Sequence, residues 1–156
     1  MDSKHGQARK GAASQKKARR VLGYRLLIID DDAGVQKMLR ILLEYEHFEV
    51  VVASDGQAAL ACLDRTPPDL LLLDLMMPQM DGLTFVAELK RRGLRPSLPV
   101  IVLTADIYAR PLIERMEVEA WLIKPFHLTD LLKKIKDVLG IDTHEVPAAR
   151  AQLSEE

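Results

Sequence analysis

The chain has a single cysteine, Cys62, which excludes an intramolecular disulfide and a cysteine-built metal cluster. Aromatic residues make up only 4%, so the core has to be Leu, Val, Ile, Met and Ala, as in helices packed on a parallel sheet rather than a β-sandwich. No stretch approaches the roughly 18 consecutive apolar residues that span a bilayer, and the basic start lacks the apolar core of a secretory signal. No membrane span and a reducing, cytoplasmic location are therefore expected. The histidines His5, His47, His127 and His144 share no ligand spacing and read as surface or turn residues. No internal repeat is evident, and 156 residues with 48% hydrophobic content suit one sizeable core with tails.

The net charge of −1 hides an asymmetry. Residues 1–25 carry eight Lys/Arg against only Asp2, a balance of +7, and the rest of the chain therefore carries −8. Residues 1–24 read as a basic tail, disordered in isolation, attached to an acidic globular domain. Its charge suits an acidic protein, an anionic membrane surface or nucleic acid, and equally a solubilising extension. Without interleaved aromatics it carries no sequence readout.

What the chain does have is four apolar runs that each end on a polar residue of catalytic type. Leu26 to Ile29 runs into Asp30 and Asp31, Leu70 to Leu73 into Asp74, Pro99 to Leu103 into Thr104, and Trp121 to Ile123 into Lys124. Continuous apolar runs are the pattern of strands covered on both faces, and parallel strands deliver their carboxyl ends to one edge, where open α/β sheets bind ligands.

Between the runs the period becomes helical. Val35, Met38, Leu39, Leu42 and Leu43 predict a first helix over 33–45, followed by a strand over 48–53. Ser54-Asp55-Gly56 opens a second helix that ends near Thr66 before Pro67-Pro68. Asp81-Gly82 opens a third through about Arg92. Pro111 places a short fourth helix at about 111–117, after a longer loop. Leu128, Leu131, Leu132, Ile135, Val138 and Leu139 form a fifth, stopped by Gly140. Residues 141–156 read as a short polar tail. The expectation is an α/β fold of five strands and five helices in alternation.

A hard divalent cation wants oxygen ligands, which Asp30 and Asp31 can supply. Asp74 can add a third carboxylate or act as a nucleophile. Lys124 offers a compact positive charge to an anion and Thr104 a hydroxyl, so the set fits a phosphoryl group. Asp32 is expected to cap the first helix. Met76, Met77 and Met80 read as packing residues rather than thioether ligands, and Cys62 as a small buried residue of the second helix.

The ordered segments Ile-Ile-Asp-Asp-Asp, Pro-Asp-Leu-Leu-Leu-Leu-Asp-Leu-Met-Met-Pro-Gln-Met-Asp-Gly, Pro-Val-Ile-Val-Leu-Thr-Ala and Lys-Pro-Phe resemble the receiver domain of bacterial two-component response regulators, over about 25–140. The resemblance implies a doubly wound, flavodoxin-like five-stranded parallel sheet of order 2-1-3-4-5. It implies that Asp74 is the phosphoacceptor, served by a histidine kinase, a phosphotransfer protein or a small phosphodonor. Mg²⁺ (alternatively Mn²⁺) would be held by Asp30, Asp31, Asp74 and the Met76 carbonyl. Lys124, before a cis proline, would pair with the phosphoryl oxygens, and Thr104 would be the switch hydroxyl, followed by the small Ala105. Met76 and Asp106 would flank the path of attacking water.

The chain departs from the family pattern near its end. Glu117-Val118 stands where a Gly-Ala pair is usual, Trp121 where a Tyr or Phe switch is usual, and the interval from Thr104 to Lys124 is about two residues shorter. We read Trp121 as unable to make the usual aromatic swing, with output through the loop 106–110. The expected function is that of a stand-alone phosphoacceptor, not an enzyme in its own right, that signals to a downstream protein target; no output domain fits after Gly140. One rival is a degenerate receiver that scaffolds through its tail. The other is a phosphohydrolase similar to the haloacid dehalogenase group, which needs an Asp-x-Asp-Gly-Thr loop where this chain has Asp-Asp-Asp-Ala-Gly.

Overall fold

In a computed structural model that describes residues 23–142, the apolar runs become strands joined by helices in strict alternation. The order is β1 (Arg25–Ile29), α1 (Ala33–Tyr45), β2 (Glu49–Ala53), α2 (Gly56–Arg65), β3 (Leu70–Asp74), α3 (Gly82–Arg91), β4 (Val100–Thr104), α4 (Arg110–Met116), β5 (Ala120–Ile123) and α5 (Leu128–Leu139). All strand pairs are parallel, and the sheet order is β2-β1-β3-β4-β5. The basic tail, apart from residues 23 and 24, and the polar tail beyond residue 142 lie outside the described residues, as do His5 and His144.

The alternation of side chains along each strand divides the core in two. Leu27, Ile29, Leu71, Leu73, Val100 and Val102 face α2, α3 and α4, whose Leu60, Phe85 and Ile113 close that layer. Leu26, Ile28, Leu70, Leu72, Ile101 and Leu103 face α1 and α5, which supply Leu39, Leu43, Leu131 and Ile135. Each fully buried aliphatic side chain contributes about 1.5–3 kcal/mol. Covering both faces this way is what makes the β1, β3 and β4 runs continuous rather than alternating.

The helix boundaries follow local chemistry. The Asp32 carboxylate accepts from Gly34 N and Val35 N, Asp55 from Ala58 N, and Asp81 from Thr84 N, so each of α1, α2 and α3 starts on an aspartate cap. Pro111 sits in the first turn of α4, and Gly140, at φ 69°, ends α5 in the left-handed conformation. Three expected bounds shift by one residue, one of them the start of α4 at Arg110 rather than Pro111. Phe48 precedes β2 because its N–H is taken by the Leu43 carbonyl at the end of α1, and α4 stops at Met116 because Glu117 turns left-handed, at φ 54°.

Two expected burials are corrected. Met76 points into solvent at 69% exposure, so only Met77 and Met80 pack, and Cys62 is half-buried at the margin of the core. Its neighbours Leu75 and Met77 turn inward and are buried, which leaves the Met76 side chain on the outer side of the loop.

Gly82 is where α3 meets the strand-end backbone. Its N–H donates to the Leu75 carbonyl at 3.1 Å, and a Cβ there would lie 3.1 Å from Leu75 Cα and 3.2 Å from the Asp74 carbonyl oxygen. Gly82→Ala is expected to cost about 1–3 kcal/mol in urea unfolding, because the clash falls on backbone that cannot rotate away. A cost below about 0.5 kcal/mol would show that α3 shifts freely.

Candidate functional site

Parallel pairing gathers what chain order separates. β1 lies between β2 and β3, where the winding reverses, and this is the position at which such sheets open a crevice at their carboxyl edge. Ile29 pairs with Leu73 and Asp74 with Leu103, so Asp30, Asp74 and Thr104 follow one another along that edge. Asp30, Asp74 and Thr104 are the buried polar residues among those described, at 3%, 9% and 0% exposure. The exposed Asp31 completes an acidic trio with Asp30 and Asp74 whose carboxylate oxygens lie within 4.8 Å of one another, close enough to hold one metal ion.

Lys124 enters from the far side. β1 and β5 stand three strand spacings apart, about 14 Å, yet Lys124 Nζ donates to Asp30 Oδ2 at 2.8 Å. This ion pair therefore bridges the carboxyl ends of β3 and β4, where Asp74 and Thr104 sit. The sequence reading gave Lys124 a phosphoryl partner; here Asp30 engages it, and Asp74 senses its charge. The Lys124-Pro125 peptide is cis, as the resemblance implies.

Burial pushes the Asp74 carboxyl above its ordinary range. The Lys124 ammonium opposes that rise, the Asp30 carboxylate adds to it, the Met76 N–H hydrogen bond opposes it, and Asp31 adds to it. Three carboxylates gathered at one point face the single ammonium of Lys124. A hard cation on oxygen ligands is the natural complement, and the donor set fits one.

The loops that follow the strands hold these groups in place. Asp32 N donates to Asp30 Oδ1 at 2.9 Å, and Met76 N to Asp74 Oδ1 at 3.3 Å. Asp106 N donates to Thr104 Oγ1 at 3.1 Å, and Lys124 N to the Thr104 carbonyl at 2.7 Å. Gln36 on α1, which no motif singles out, donates from Nε2 to the Asp30 carbonyl and to Ser54 Oγ. A polar residue on an amphipathic helix reads as solvated in sequence, so only the fold shows this reach.

Trp121 is half-buried and packs against the core layer under α2, α3 and α4. Ile107 and Tyr108, in the loop after Thr104, are 62% and 83% exposed. His47 and His127 are exposed loop residues and are not members of the acidic group. No helix among the described residues is long and apolar enough to cross a membrane.

Comparison with known proteins agrees with this geometry. Residues 26–136 match the response regulator receiver domain. Response regulator MprA of Mycobacterium leprae is 38% identical over 117 residues, covering 74% of this chain and 50% of that protein. The phosphate regulon transcriptional regulatory protein PhoB of Escherichia coli is 34% identical over 120 residues, 76% of this chain and 52% of that protein. The chain thus spans about half the length of the curated relatives it matches. Among solved structures, chemotaxis protein CheY4 of Vibrio cholerae superposes with a TM-score of 0.68 at 28% identity, covering 74% of this chain and 98% of that one. Response regulator TrrA of Thermotoga maritima, solved in complex with Mg²⁺ and BeF, gives 0.67 at 27% identity over 74% of this chain and 98% of that one. A sheet wound 2-1-3-4-5, an acidic trio at its switch point and a family match over most of its length together make this chain a member of the response regulator receiver domain family.

Proposed function

We propose that this receiver is a phosphoacceptor, with Asp74 taking a phosphoryl group from a phosphohistidine of a histidine kinase or phosphotransfer protein. An Asp74 oxygen forms a bond to phosphorus as the phosphorus–nitrogen bond breaks, and the departing imidazole keeps the electron pair and takes a proton. Asp31, Asp74 and the Met76 carbonyl, with Asp30 beside them, would hold Mg²⁺ or Mn²⁺. When bound, the cation supplies charge compensation to the phosphoryl oxygens. Lys124 neutralises part of the roughly −1.5 to −2 charge that arrives, and Thr104 offers its hydroxyl to a phosphoryl oxygen. The observation that carries this reading is the nearly buried Asp74 carboxylate within ligand distance of two others and beneath the Lys124 bridge.

We assign this role to residues 25–140, with output by contact to a downstream protein. Loop 106–110 is the proposed output element, supported by the Thr104 to Asp106 hydrogen bond and by the exposed Ile107 and Tyr108, with Trp121 as a packed bystander rather than a swinging switch.

Incubation of the protein with acetyl phosphate and Mg²⁺, followed by intact mass, is expected to give one acid-stable, base-labile phosphoryl adduct that EDTA prevents. Steady turnover of phosphomonoesters would instead indicate the hydrolase. No adduct from any donor, with beryllofluoride also without effect, would indicate the scaffold. Amide shifts confined away from 106–110 on adding beryllofluoride would overturn the output assignment.

A further inference from the structure

We propose that Gln36 is a positioning residue that sets the divalent-cation affinity of the Asp30, Asp31 and Asp74 cluster; this rests on the phosphoacceptor reading above. Asp31 is the exposed member of the trio and lies on the loop after β1, so its carboxylate goes where its backbone puts it. That backbone is held from both sides. The Asp30 side chain is fixed by Lys124 Nζ and by Asp32 N, and Asp32 caps α1 through Gly34 N and Val35 N.

The remaining group is the peptide joining Asp30 to Asp31. Its carbonyl accepts from Gln36 Nε2, which also reaches Ser54 Oγ at 3.2 Å, just past the end of β2. Gln36 is itself seated by its backbone N–H on the Asp32 carbonyl at 3.0 Å. It thus ties the ends of β1 and β2 to the start of α1 across the peptide that leads into Asp31, whose rotation would swing Asp31 away from Asp30 and Asp74. Gln36 donates to the Asp30 carbonyl and Ser54 Oγ and not to a carboxylate of the trio, so it acts through the orientation of that peptide. Outer partners of this kind typically govern 10- to 100-fold in metal affinity.

The test is calorimetric titration of Mg²⁺ into the full-length protein, after dialysis against EDTA and then metal-free buffer, in about 0.5 M salt so that added charge is screened. Gln36→Met keeps the length and removes the donors, with Gln36→Leu as a second donorless variant should the first fail to fold. Gln36→Arg restores N–H groups of sufficient reach. The donorless variant is expected to bind Mg²⁺ about tenfold more weakly, with its Tm in EDTA within about 2 °C of the parent. The arginine variant is expected within about threefold of the parent, because it again donates to the carbonyl. A donorless variant within twofold of the parent, or equal weakening by methionine and arginine, overturns the inference and leaves the phosphoacceptor reading standing. An unsubstituted protein that binds no Mg²⁺ overturns both.

Discussion

Replacing Asp74 by asparagine is expected to abolish the covalent phosphoryl adduct while making the unmodified protein more stable. The carboxamide is nearly isosteric and still accepts from Met76 N, but it is no nucleophile, so adduct formation should fall at least about a thousandfold. The stability change comes from the charge that is removed. The folded-state value of Asp74 is raised, chiefly by burial and against the pull of Lys124. A raised carboxyl favours folding fully only below its unfolded value, and that contribution is lost as pH rises through the folded value. At neutral pH the ionised group therefore opposes folding.

Asp74→Asn should accordingly raise Tm in EDTA at pH 7, since it removes a charge that burial disfavours. The gain should shrink as pH falls and vanish below about pH 4, where both side chains are neutral. Scanning calorimetry from pH 3.5 to 7.5 reads this directly, and a variant less stable than the parent at pH 7 would contradict the account. Saturating Mg²⁺ should reverse the order, since the parent then gains a ligand that the variant holds poorly.

The second large effect lies at the opposite edge of the sheet. Arg95, 4% exposed at its side chain, donates through Nη1 to both oxygens of Glu119 at 2.8 Å and to the Leu98 carbonyl at 2.7 Å. Its Nη2 donates to the carbonyl of Glu117. Glu119 Oε2 in turn accepts from Val100 N at 2.6 Å, at the start of β4. Glu119→Leu would strand a buried guanidinium and orphan the Val100 N–H, and is expected to cost about 3–5 kcal/mol in urea unfolding. Adding Arg95→Met to that variant should recover part of the loss, because it removes the unpaired buried charge while the Val100 N–H and the Leu98 and Glu117 carbonyls stay without these partners. Additive losses in the double variant would show that the two residues act independently.

This clamp also explains how the chain tolerates its departures from the family pattern. Glu117 adopts a left-handed φ of 54°, which costs a non-glycine residue roughly 1–2 kcal/mol. Its carbonyl is held by Arg95 and its carboxylate by Lys90 Nζ at 3.2 Å. The substitution of Glu117-Val118 for a small pair is visible in sequence, but its compensation is not. Arg95 sits 22 residues earlier, in a loop, and nothing in its neighbours advertises the contact.

The same division runs through the whole molecule. The strands, α1, α2, α3 and α5 were legible because their signals are local: apolar runs, period, aspartate caps and Gly140. The strand-end convergence of Asp30, Asp31, Asp74, Thr104 and Lys124 was legible because parallel topology leaves few alternatives. Three features were not. Lys124 meets Asp30, 94 residues away, Gln36 reaches a backbone carbonyl, and Met76 turns outward. Each depends on where a side chain goes once its backbone is placed, and periodicity is silent about that.

The Lys124 bridge has a consequence for the chain as it is made. All three carboxylates are synthesised by residue 74, whereas their ammonium partner arrives 50 residues later and is positioned only when β5 docks on β4. A nascent or truncated polypeptide that ends before β5 therefore carries the acidic trio without its ammonium partner. On the proposed phosphoacceptor reading, a complete charge set at the site therefore requires the last strand of the sheet to be in place.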